Sequence, residues 1–239
     1  MSRVLTFCAA LILAATGAAA QCRQALVLAL DVSGSVDSYE YRLQIEGLAN
    51  ALQHPEIRDA LLAMPSAPIR IAVFEWSGPE HQRLLLNWKT VTTAAQIDSI
   101  AQQLYQTARS SSPPGTALGS AMQFGAALLA GQNECWKRTL DISGDGKHNQ
   151  GPHPRDVKHH LARHKVTINA LVIGADAPAV GDYRQSQVGE LAAYFQHWVV
   201  VGPDGFVETA LGFEDYESAM VRKLKRELEG LVLSALPAQ

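Results

Sequence analysis

The chain has few cysteines, no strong excess of either charge and no long apolar run beyond its first twenty residues, and each shortage narrows its possibilities. Three cysteines in 239 residues leave room for one disulfide, not for a disulfide-built scaffold. Twenty Lys and Arg stand against 23 Asp and Glu, a net charge of −3 with no basic stripe, which argues against a nucleic-acid partner. The apolar run near the start is too short to span a bilayer comfortably, and no second long one appears. No repeat period and no low-complexity linker divides the chain.

The opening "MSRVLTFCAALILAATGAAA" has one cation, an apolar run and a small-residue end, the make-up of an export signal. Cleavage is expected between Ala20 and Gln21, leaving 21–239 as a single domain in the periplasm or outside the cell. A retained membrane anchor and a lipidated Cys22 are the alternatives. The lipidated form is the weaker, because Gln21 stands where a small residue is wanted. With 47% hydrophobic residues, a sizeable core can form.

Apolar runs alternate with helical patterns. Strands are predicted at 25–30, 69–76, 83–88, 137–143, 166–174 and 197–202. Helices are predicted at 37–52, just after Pro55, and at 93–108, 117–130, 154–164, 186–195 and 215–232. Asp37 and Glu40 form a capping box for the first helix. The Ser77-Gly78-Pro79 turn suits an antiparallel pair at one edge. The alternation implies an α/β three-layer sandwich with a mostly parallel, doubly wound sheet, whose ligand sits at the carboxyl ends of the strands. Cys8 leaves with the leader. Cys22 and Cys135 then each precede a strand by a few residues; if those strands are parallel neighbours, about 4.8 Å apart, the two can bridge.

Polar loops stand at or near those strand ends. "DVSGS" supplies Asp31, Ser33 and Ser35, "SSSPPGTALGS" supplies Thr116, and "DISGDGKHNQG" supplies Asp145. Two carboxylates and three hydroxyls make an all-oxygen set, suited to Mg²⁺ and also to Mn²⁺ or Ca²⁺. Two aspartates balance a divalent ion, which keeps room for one further anionic oxygen.

The order Asp-x-Ser-x-Ser, Thr, Asp resembles the von Willebrand factor type A family, over residues 24–230, and most of all its secreted bacterial members of unknown function. The resemblance implies the sheet order 3-2-1-4-5-6 with one antiparallel edge strand. It also implies a metal-ion-dependent adhesion site at Asp31, Ser33, Ser35, Thr116 and Asp145, completed by an Asp or Glu from a protein partner. "SGDG" departs from the family's more usual Thr-Asp-Gly, so Asp141 is an outside candidate for the distal carboxylate.

Other readings compete. Gly144-x-Gly146 begins a dinucleotide motif, but Asn149 stands in the third glycine's place. A metal-dependent phosphatase or other hydrolase would need a general base that the motif lacks. A structural domain with a vestigial site is the third alternative. His148, His153, His159, His160 and His164 read as a solvated helix and loop, and Trp76, Trp88, Trp136 and Trp198 as core cover.

Overall fold

Ten consecutive buried residues form β1 (Cys22–Asp31), as a strand covered on both faces requires. The computed structural model describes residues 22–174 and 184–234. The leader and the cleavage point between Ala20 and Gln21 lie outside the described residues.

Five strands join β1: β2 (Ile69–Trp76), β3 (Gln82–Val91), β4 (Cys135–Gly144), β5 (Thr167–Ile173) and β6 (Val207–Ala210). Their order is β3-β2-β1-β4-β5-β6. Only the β2–β3 pair is antiparallel, which places the reversed strand at an edge.

Alternation along β1 sends its side chains into two cores. Leu26, Leu28 and Leu30 pack with α1 (Ser38–Gln53), α2 (Pro55–Leu62), α3 (Ala94–Tyr105) and α7 (Tyr216–Ser234). Ala25, Val27 and Ala29 face α4 (Leu118–Ala130), α5 (Pro154–Leu161) and α6 (Arg184–Trp198). The result is a three-layer sandwich. The capping box of α1 forms as the sequence implies: the Asp37 carboxylate accepts from Tyr39 N and Glu40 N, while Glu40 accepts from Asp37 N.

The strand expected at 197–202 is a correction. Helix α6 runs on to Trp198, and Val201 makes a lone antiparallel bridge to Ile168. Val199, Val200 and Val201 are buried as a plug against the α6-side core instead of extending the sheet. The chain then turns at Gly202, whose φ of 96° suits glycine. The sixth strand is the half-exposed "VETA", whose polar residues gave no apolar run to detect. Trp136 is the second correction: it is 52% exposed, whereas Trp76 is fully buried.

Cys22 and Cys135 are register partners across β1 and β4 and form a disulfide, with α-carbons 4.3 Å apart. It closes the end of the sheet opposite the polar loops.

Candidate functional site

The carboxyl ends of β1 and β4, adjacent central strands, both run out into loops, and three loops meet there. The first follows Asp31, whose side chain is fully buried. Asp31 Oδ1 accepts from Ser33 N at 2.8 Å, and Gln44 Nε2 holds the Asp31 carbonyl at 2.9 Å. Ser33 and Ser35 hydroxyls lie 3.2 Å apart, and Ser35 Oγ donates to Asp145 Oδ1 at 2.7 Å. Asp31, Ser33, Ser35 and Asp145 are therefore brought together by direct hydrogen bonds.

The second loop carries Thr116 and docks on the first. Gly34 N donates to Pro114 O at 3.0 Å, and a methyl on Gly34 would lie 2.8 Å from Pro114 Cβ, so this close approach needs glycine. Ser112 Oγ donates to the Val32 carbonyl at 2.8 Å. Thr116 is buried, and a methyl on Gly146 would stand 3.8 Å from its Oγ1, which puts Thr116 beside the third loop.

Asn149 holds that junction, a role its sequence position did not reveal. Its Oδ1 accepts from Thr116 N at 2.8 Å and its own N–H donates to the Thr116 carbonyl at 3.1 Å. The residue that spoils the dinucleotide motif thus clamps the hydroxyl loop. Asp141 belongs elsewhere: it projects to the opposite face of the sheet, against Lys223 of α7.

Burial, and secondarily the neighbouring Asp145, push the Asp31 carboxyl up to about 8, while hydrogen bonds from Ser33 and from the Asp145 backbone pull the other way. Asp31 Oδ2 is buried with no hydrogen-bond partner. A buried, unpartnered carboxylate oxygen is costly unless a cation meets it. The donor set therefore fits a small hard cation, with charge from Asp31 and Asp145 and neutral oxygens from Ser33, Ser35 and Thr116. Among the described residues no three His, Cys, Asp or Glu side chains converge, so the remaining donors would be hydroxyls. The histidines do not gather into one cluster: His148 pairs with His153, ring centroids 5.2 Å apart, and His160 with His164 at 4.8 Å.

A family model described as "Protein of unknown function (DUF1194)" matches residues 21–232. The chain belongs to this family. No curated protein matches the DUF1194 chain. Among solved structures it is similar to proximal thread matrix protein 1 of the mussel byssus, at 14% identity and TM-score 0.61, covering 88% of this chain and 49% of that one. It is also similar to the pilus adhesin SpaC from Lactobacillus rhamnosus GG, at 15% identity and TM-score 0.62, covering 88% and 31%. A von Willebrand factor type A protein from Catenulispora acidiphila matches at 12% identity and TM-score 0.54, covering 88% and 43%. The DUF1194 chain thus has a von Willebrand factor A fold and spans half or less of each of these three chains. One structure of the mussel protein is described as having a zinc-occupied MIDAS motif.

Proposed function

We propose that the protein is an exported, metal-dependent protein-binding module. A divalent cation would be held by Asp31, Ser33, Ser35, Thr116 and Asp145, and a partner's Asp or Glu would complete its coordination. The observation that carries this reading is the orphaned, buried Oδ2 of Asp31 within the hydrogen-bonded set of two aspartates and two serines. The all-oxygen donor set favours Mg²⁺, with Mn²⁺ and Ca²⁺ as close competitors. The zinc-occupied MIDAS motif of the mussel protein supports divalent occupancy of such a site in this fold, although these donors are harder than zinc prefers. The Cys22–Cys135 disulfide supports an oxidising compartment, periplasmic or extracellular.

Thermal melting in EDTA and in Mg²⁺, Mn²⁺ or Ca²⁺ tests the site. A cation that binds only the folded state adds about 2.7 kcal/mol at a hundredfold excess over its dissociation constant. The wild type is expected to melt higher with cation, and Asp31→Ala not to respond. Equal melting of the wild type in all conditions would favour a vestigial site.

A further inference from the structure

On the α7 side of the sheet lies a second set of ionisable groups, almost wholly buried. Asp141 of β4 is 2% exposed, Lys223 of α7 is 0%, Glu227 is 1% and Asn169 of β5 is 0%. Lys223 Nζ touches Asp141 Oδ1 and lies 3.1 Å from Glu227 Oε1. Asn169 Nδ2 donates to the same Glu227 oxygen, and Asn169 Oδ1 accepts from Phe206 N at 3.1 Å. The Phe206 ring covers the ammonium group, its centroid 5.3 Å from Nζ. Although Lys223 and Asp141 touch, neither Asp141 oxygen has a hydrogen bond of good geometry.

We infer that Lys223 and Asp141 join in an intramolecular amide, formed within the folded protein with Glu227 as the proton acceptor. Burial, and then the neighbouring Glu227, push the Asp141 carboxyl well above the usual carboxylate range, so it holds its proton. The acidic neighbours Asp141 and Glu227 raise Lys223 against its burial, and Lys223 in turn lowers Glu227 against its own burial, which makes the ammonium and the Glu227 carboxylate the resting forms. One proton passed from Lys223 to Glu227 leaves a neutral amine beside a neutral carboxylic acid, a minor state from which the amide can form.

The nitrogen lone pair then attacks Asp141 Cγ. The N–C bond forms, the C–OH bond breaks, and the hydroxyl leaves with the amine's second proton as water. Glu227 ends protonated, charge is conserved, and nothing is oxidised or reduced. Fixed proximity replaces an encounter, and exclusion of water from the core opposes the reverse hydrolysis. The product would tie the middle of β4 to α7 covalently, independently of the metal site.

The experiment is the intact mass of the purified wild-type chain under denaturing conditions, followed by tryptic mapping. The chain is expected to be lighter by one water, beyond the two hydrogens lost to the disulfide. The peptides Thr139–Lys147 and Lys223–Lys225 should appear as one linked species. Glu227→Gln, checked for folding by circular dichroism and by its disulfide, is expected to lose or slow the link, and Lys223→Met to abolish it. A full-mass wild type with the two peptides separate would overturn the proposal and leave an ion triad. Loss of ammonia in place of water would overturn the assignment to Asp141 and move the bond to Asn169.

Discussion

A single oxygen, Oδ2 of Asp31, has the largest consequence at the residue scale. In the cation-free protein the carboxyl is pushed up to about 8, against about 3.9 in an unfolded chain. The folded state thus keeps a proton that the unfolded state releases. The Asp31 contribution to cation-free stability is therefore expected to be full below about pH 4 and to fall as pH rises towards 8. Urea titrations in EDTA across that range check the slope, and Asp31→Asn, which has no proton to release, should flatten it. Asn149 gives the second prediction at this scale. Asn149→Ala deletes the acceptor for Thr116 N and is expected to cost about 1 kcal/mol in urea unfolding, together with weaker cation binding. Asp31 was legible because a carboxylate ends an otherwise apolar run. Asn149 was not, because its partner lies 33 residues away and nothing in its own neighbourhood marks it.

Among the elements, those with a strong local signal were readable and those decided by long-range contacts were not. The α1 capping box and the buried β1 follow from neighbouring residues alone. The sixth strand fails that test, since "VVV" has the better strand propensity yet packs as a plug while "VETA" pairs with β5. The site divides the same way: its Asp-x-Ser-x-Ser segment is local, whereas the approach of the Thr116 loop depends on Gly34 and Pro114 meeting across the fold. Helix α4 carries a prediction of its own. A methyl on Gly119 would stand 1.9 Å from the Pro152 carbonyl oxygen, so the helix and the loop after β4 cannot keep their distance once it is added. Gly119→Ala is expected to displace the 146–153 loop and weaken cation binding several-fold, while helix content, for which alanine is the better former, is retained. Calorimetric titration with Mg²⁺ beside far-ultraviolet circular dichroism separates the two effects.

For the molecule as a whole, two ends of one sheet have separate duties. The polar loops occupy the carboxyl ends of β1 and β4, and the disulfide joins their opposite ends. Cys22 and Cys135 are 113 residues apart, and closing such a loop removes about 4 to 5 kcal/mol of unfolded-state freedom in the chain-entropy treatment. Cys22→Ser with Cys135→Ser is expected to lower urea stability by that order while leaving the cation response of the folded fraction intact. Loss of the response in a still-folded variant would show that the two ends are coupled.

The same bond settles how the domain would bear a load. In a chain that retains its leader, tension arriving ahead of Cys22 would meet a covalent link to β4 before it met the first rung of the β1–β2 ladder. Strands pulled from one end normally unzip rung by rung, each backbone hydrogen bond failing alone. Here the pull is shared at its point of entry between two central strands, so the sheet resists as a block and β1 is protected from peeling. With the leader retained as an anchor, a pull on that side would leave undisturbed the geometry around Asp31, nine residues up the strand.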